Sequence, residues 1–353
     1  MNPLHFAVVV GINRYPVIGD LTAAHGGAED FHKWVTKPDG GGVSPENATL
    51  VRAELSAGAT AEQVRPTREA IYTALEDFMP RVRAASPGDW AQTRLYFYGA
   101  GHGIAPEARD AALLAANASR DRYGRHVSCV SLLEYFSRVQ LFRELVPFVD
   151  CCRTPVVGVP RMPVEWTDDP INNGSVRKFF ACGAIFSRQA FEERDRPPDQ
   201  RRGYFTRALM DGLRGANTAV NPATGCVTST RLKGHITEHM RRATEGKFRS
   251  PLEPDFVDEG AGEVVFGASI TAAPPTHSVR LEVRSVVVMG LEVAAFGTSM
   301  PILRAVPSAV EPAVFEYALP VGLYEATPIG APLRPSGQEW LFKVVEGGVT
   351  RAF

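Results

Sequence analysis

Two short polar clusters hold the residues best suited to covalent chemistry on a carbonyl group. One is Gly99-Ala-Gly-His-Gly103 and the other is Asp150-Cys-Cys-Arg153. A free thiol has a pKa of about 8.5 and attacks as the thiolate, and a nearby imidazole takes and returns its proton. His102 and Cys152 form that pair, and they stand 152 − 102 = 50 positions apart. The glycines beside His102 let backbone approach a substrate carbonyl closely. The amides of Gly103 and Cys152 are then candidates for an oxyanion hole, which in other hydrolases contributes about 3–4 kcal/mol per donor. Each cluster alone has a plainer reading. The glycines suit a tight turn or a weak phosphate cradle, and a lone buried cysteine is usually a small hydrophobe. Cys151 should point to the opposite face from Cys152 and reads as structural, as do Cys129, Cys182 and Cys226. His25, His32, His235 and His239 fall in predicted helices and read as surface residues.

The elements around these clusters decide whether they meet. Phe6 to Ile12 is a continuous apolar run, as in a strand buried on both faces of a parallel sheet. Further strands are expected at Thr49 to Leu55, Arg94 to Tyr98, Leu145 to Val149, Phe179 to Ile185 and Glu263 to Phe266. Helices are expected at Leu21 to Val35, Pro66 to Ala85, Ser131 to Val139, Phe205 to Leu213 and Arg231 to Met240. Strand and helix alternate, which argues for an α/β fold with a parallel sheet. Both clusters then lie at the carboxyl ends of strands, where such sheets place their sites. Adjacent strands run about 4.8 Å apart, so a His and a Cys just beyond neighbouring ends can meet. Beyond Ala272-Ala-Pro-Pro275 the texture becomes period-two, at Val279 to Arg284, Val314 to Leu319, Gly322 to Ala326 and Trp340 to Val345. That pattern reads as a small all-β sandwich.

Composition bounds the function. The chain has 353 residues, 44% hydrophobic and 22% charged, which fits globular protein rather than a disordered or fibrous chain. A formal net charge of −1 gives no basic field for nucleic acid. The apolar run at the start is short and lacks a basic leader, and no stretch approaches the roughly 18 apolar residues of a membrane span. Five cysteines without paired spacing suit a reducing compartment, so a cytoplasmic location is expected. No metal site and no cofactor are expected. Neither glycine cluster fits a dinucleotide or Walker pattern, which weighs against a nucleotide-directed enzyme.

The joint pattern resembles the caspase and metacaspase superfamily, especially its bacterial members. The matching segments are Phe6-Ala-Val-Val-Val-Gly-Ile-Asn13, Trp34, Gly40-Gly-Gly42, Tyr96-Phe-Tyr-Gly-Ala-Gly-His-Gly103, Phe148-Val-Asp-Cys-Cys-Arg153, Gly203-Tyr-Phe-Thr206 with Leu209 and Gly212-Leu213, and Val264-Val-Phe-Gly267. The resemblance implies a caspase-like α/β fold. Its six-stranded, mostly parallel sheet is flanked by helices and followed here by a small all-β domain. The expected division is a peptidase domain at 1–269, a linker at 270–275 and a β-sandwich-like domain at 276–353. The implied activity is a cysteine endopeptidase working through a thioester, with a protein or peptide substrate.

Substrate binding is implied for Asp150, two residues before the nucleophile, and for Ala100, where the family commonly has Ser. A second acid is expected in the first helix, where a gapless reading gives Gly27, with Asp30 nearly a turn later. The acids point to cleavage after Arg, less often Lys, and the resemblance to bacterial members implies a role in a stress or defence cascade. Arg161, Arg201 and Arg202 lie in irregular stretches and are candidate processing sites. The C-terminal domain is a candidate surface for a regulatory partner. The competing reading is a catalytically silent scaffold that recruits partners through that domain.

Overall fold

The structure is a computed structural model. It describes residues 1–52, 60, 62–84, 88–171, 174–267, 277–283, 289–295, 303–305, 309–310, 313–319, 322–329, 341–345 and 349–352. The chain divides into two compact units: Met1–Val220 with Cys226–Ala268, and Ser269–Phe353 with Asn221–Gly225.

The first unit is an α/β layer structure. Its strands are β1 (His5–Gly11), β2 (Ala48–Arg52), β3 (Arg94–Ala100), β4 (Gly103–Ala105), β5 (Ala112–Leu114), β6 (His126–Ser128), β7 (Glu144–Asp150), β8 (Thr154–Pro155), β9 (Arg177–Cys182), β10 (Val227–Thr228), β11 (Asp255–Glu259) and β12 (Val265–Phe266). Its helices are α1 (Ala24–Val35), α2 (Arg68–Glu76), α3 (Met79–Arg83), α4 (Cys129–Val139), α5 (Tyr204–Leu213) and α6 (Ser229–Thr244). The main sheet has six strands in the order β11-β9-β7-β3-β1-β2. Every pairing is parallel except β11 with β9. The expected six-stranded, mostly parallel sheet flanked by helices is therefore present.

The near-continuous apolar runs of β1, β3 and β7 follow from burial on both faces. Phe6, Val8, Val10 and Phe97 pack with Ile71 and Leu75 of α2 and with Leu132 and Phe136 of α4. On the other face Phe31 and Trp34 of α1 meet Tyr96, while Phe31 also stacks on Tyr98 and contacts Phe148.

Two expectations are corrected. The helix expected from Pro66 to Ala85 is two helices, because Pro80 supplies no N–H at the point where α2 would continue into α3. Thr67 caps α2 by accepting from the Ala70 amide. The sixth strand is β11, whereas Val265–Phe266 joins Val227–Thr228 in a separate two-stranded ribbon. β11 reads Asp-Phe-Val-Asp-Glu, too polar for a central strand but suited to a sheet edge. Residues 53–55 and 85, and the expected linker at 270–275, lie outside the described residues.

Among the described residues, the second unit is all β. Its strands are β13 (His277–Val283), β14 (Gly290–Ala295), β15 (Leu303–Ala305), β16 (Ala309–Val310), β17 (Ala313–Leu319), β18 (Gly322–Ile329), β19 (Leu341–Val344) and β20 (Val349–Ala352). They form two four-stranded sheets, β16-β17-β13-β20 and β15-β14-β18-β19. Val279, Leu281 and Phe315 of one sheet share a core with Leu291, Val293 and Tyr324 of the other. Among the described residues, no helix is long and apolar enough to cross a membrane.

Candidate active site

Backbone pairing fixes His102 and Cys152 from both sides. Before them, Ala100 at the end of β3 pairs with Asp150 at the end of β7. After them, Ile104 of β4 pairs with Thr154 of β8, again in parallel. The offset is 50 in both pairings, so the spacing of the two motifs is the register of the sheet. His102 and Cys152 occupy equivalent points between neighbouring strands and line one cleft of about 90 Å³. The cleft opens at the carboxyl ends of the parallel strands, and Ala100, Gly101 and Asp150 also line it.

Neither side chain is held by the other in this state. His102 Nε2 lies 2.9 Å from the Gly19 carbonyl oxygen. A carbonyl only accepts, so Nε2 carries the proton and neutral His102 keeps its lone pair on Nδ1. The ring stands edge-on to Tyr15, with centroids 4.7 Å apart. The His102 amide donates to the Tyr15 hydroxyl at 3.0 Å, and that hydroxyl donates to the Leu114 carbonyl at 3.1 Å. Tyr15 itself is buried, and burial raises its pKa far above the ordinary phenol range. Asp20 holds this loop by accepting from the Tyr15 amide at 2.8 Å and pairing with Arg14.

The two adjacent cysteines differ in setting. Cys151 is 1% exposed and belongs to the apolar core, whereas Cys152 is part-exposed on the cleft. Burial pushes the Cys152 thiol up; the Ala190 carbonyl, 3.6 Å away as acceptor of the S–H, opposes this, and Asp150 adds to it. The resting group is therefore a thiol. Among the described residues, the Cys152 amide has no acceptor. The Arg153 amide donates to the Arg188 carbonyl, and the buried Arg153 guanidinium binds the Ala108, Asp110 and Ala184 carbonyls and Asp255.

Gly103 permits this packing. A Cβ there would lie 2.3 Å from Cys151 Sγ and 2.7 Å from the Cys152 carbonyl oxygen. Gly103→Ala is expected to cost about 1–3 kcal/mol by overpacking. The measurable result is a Tm several degrees lower.

Asp150 lines the same cleft as His102 and Cys152. Its carboxylate accepts from the Thr206 amide at 3.0 Å and the Thr206 hydroxyl at 2.6 Å, in the first turn of α5. The Tyr98 hydroxyl then donates to Thr206 Oγ1 at 2.6 Å. Burial lifts the Asp150 carboxyl to about 6, the Thr206 hydrogen bonds oppose the rise, and the Glu192 charge adds to it.

Other residues singled out in the sequence lie elsewhere. Asp30 is not brought to the cleft lining; it pairs with Arg202 at 2.7 Å and with Arg214 at 3.7 Å. Gly27 cannot be an acid here, because the space of a side chain is taken by the Tyr98 hydroxyl and Thr206. Arg161 pairs with Glu134 and Glu107, and Arg201 donates to the Arg196 carbonyl.

The sequence reading missed Tyr15, Gly19 and Glu192. Glu192 lines the cleft and accepts from the Thr22 and Ala23 amides at the start of α1, a helix with no local side-chain cap. It is the cleft's second carboxylate. Its only sequence signal was an acid in a charged loop.

No family model matches the chain. A protein of a Desulfuromonadales bacterium named a probable protease is 27% identical over 230 residues, 61% of this chain. The chain spans only about a quarter of that relative, 26% of its length. Among solved structures, caspase-1 of Spodoptera frugiperda aligns with a TM-score of 0.45 at 13% identity, covering 76% of this chain and 92% of that one. A Geobacter sulfurreducens protein aligns with a TM-score of 0.44 at 13% identity, covering 74% and 95%.

Proposed function

We propose that this chain is a cysteine endopeptidase of the caspase and metacaspase type, cutting proteins or peptides after Arg and less often Lys. The observation that carries the proposal is the double register. Ala100 faces Asp150 and Ile104 faces Thr154, which holds His102 and Cys152 in one cleft. The relative named a probable protease supports the same reading.

The chemistry follows from the groups present. His102 Nδ1 takes the Cys152 proton as sulfur bonds to the scissile carbonyl carbon. The carbonyl oxygen becomes an oxyanion facing the amides of Gly103 and Cys152. Collapse breaks the C–N bond, and His102 gives its proton to the departing amine, leaving a thioester. Water, deprotonated by His102, attacks that thioester and releases the acid and the thiol. The Gly19 carbonyl and the Tyr15 ring keep the imidazole in the tautomer that can act.

Asp150 and Glu192 give the cleft two carboxylates and, among the described residues, no Lys or Arg lines it, which suits a guanidinium. Cleavage beside Arg161 or Arg202 would break existing ion pairs, so self-processing would need those stretches to rearrange. The direct test is a peptidyl electrophile with Arg next to its warhead. Mass spectrometry should find one adduct on Cys152, lost in His102→Ala. Labelling of Cys151 alone, or none, would sink the proposal.

The peptidase domain at 1–269 is proposed to act without the β domain at 276–353, which would serve regulation or partner binding. A chain ending at residue 269 is expected to stay monodisperse and retain most of its peptide turnover. Aggregation of that chain would instead make the β domain a stabilising cover.

A further inference from the structure

A second cluster of reactive side chains lies outside the cleft, between α5 and α6. His235 and His239 stand four residues apart on α6 and so share one helix face. Asp211, in the last turn of α5, meets them. Its Oδ2 lies 3.3 Å from His235 Nε2 and 3.5 Å from His239 Nδ1. All three donor atoms lie within 4.8 Å of one another. In a tetrahedral zinc site with bonds of about 2.0–2.1 Å, donor atoms sit about 3.3 Å apart, which the two Asp211 separations already match.

Two further observations point to a ligand. The His235 side chain is 6% exposed, and its Nε2 is buried and hydrogen-bonded to nothing, although Asp211 is close. The other ring nitrogen, Nδ1, is 2.6 Å from the Thr218 hydroxyl. With Nδ1–H donating to Thr218, Nε2 presents a lone pair toward Asp211 and His239. A metal-bound imidazole usually has that arrangement, with its second nitrogen fixed by an outer partner. Asp211 is also misplaced for a bare helix. It puts a negative charge at the C-terminal end of α5, and that last turn holds no basic residue. A cation there would relieve both the unpaired nitrogen and the unfavourable charge.

We propose that Asp211, His235 and His239 bind a divalent first-row transition metal, Zn²⁺ by the donor set, with water completing a tetrahedron. Two imidazoles and one carboxylate suit zinc rather than calcium or magnesium, which prefer oxygen alone. Asp211 is 53% and His239 30% exposed at the side chain, so the ion has a path from solvent. The site clips α5 to α6. The opposite end of α5 holds Asp150 through Thr206.

The test uses the full-length protein, stripped with a chelator and titrated with Co²⁺, then with Zn²⁺ in competition. One equivalent of Co²⁺ should give visible d–d absorption without thiolate charge-transfer bands, and Zn²⁺ should displace it. His239→Ala and Asp211→Asn should each weaken binding by about 100-fold or more, and Thr218→Val by about tenfold. Zn²⁺ should raise Tm in the wild type and not in His239→Ala. Cys152→Ala should bind as the wild type does. His239 and Asp211 are the more exposed ligands, so these variants keep the fold even where His235→Ala does not. Unchanged affinity in both His239→Ala and Asp211→Asn, thiolate bands, or loss of binding in Cys152→Ala would overturn the proposal and place the metal elsewhere.

Discussion

Cys152→Ala and His102→Ala should each lower kcat for peptide hydrolysis by about 10⁴-fold or more, with Tm and circular dichroism little changed. Members of one catalytic unit are non-additive, so the double variant should be no slower than either single one. Removing the base should also leave a signature on the thiol. Burial holds the Cys152 pKa above the ordinary thiol value, so in His102→Ala its alkylation should rise only at a pH above the usual thiol range. Cys151→Ala is the contrast. Its sulfur packs in the core, so that change should cost stability and leave the chemistry in place. An inactive Cys151→Ala beside an active Cys152→Ala would show that the wrong sulfur had been named.

This pair was legible in the sequence because its geometry is local to two strands. Parallel neighbours in register convert a sequence offset directly into a spatial one. The spacing of 50 is the register between Ala100 and Asp150, and no long-range packing is needed to read it. The buried strands were legible for a related reason. Burial on both faces leaves an unbroken apolar run, as in β1 and β7.

What the sequence hid is set by contacts between distant loops. Glu192 caps α1 from nearly the other side of the domain's sequence, and nothing in a charged loop reveals that partner. Tyr15 and Gly19 act through a ring face and a backbone carbonyl, and neither group has a sequence motif. Arg153, next to Cys152, carries no sequence signal of its partners. It is buried and bound to three carbonyls and Asp255, which explains why a charged residue stands there. The edge strand β11 was missed because its partners lie on one side only, so its acids were free to face solvent or to pair, as Asp255 and Asp258 do with Arg153 and Arg177.

Asp150→Asn should lower kcat/KM on Arg substrates by about 10²–10³-fold, because losing one partner of a buried charge pair costs roughly 2–5 kcal/mol. Glu192→Gln should cost about tenfold, since its carboxylate is less buried and is already shared with the start of α1. The pH dependence separates a binding role from a structural one. Burial raises the Asp150 carboxyl from 3.8 to about 6 in the folded chain. Between those values the folded chain binds more protons than the unfolded one, so stability falls as pH rises through that window. Above pH 6 the full cost remains, of order 3 kcal/mol at about 1.36 kcal/mol per unit. An Asn side chain still offers an oxygen to the Thr206 amide but carries no charge to desolvate. Asp150→Asn should therefore raise Tm at neutral pH while lowering turnover of Arg substrates. The limb of the wild-type kcat/KM profile near pH 6 should weaken in this variant, because ionised Asp150 is what the guanidinium meets. A Tm that falls at pH 7 with Arg turnover unchanged would make Asp150 only the cap of α5 and remove the basis for Arg preference.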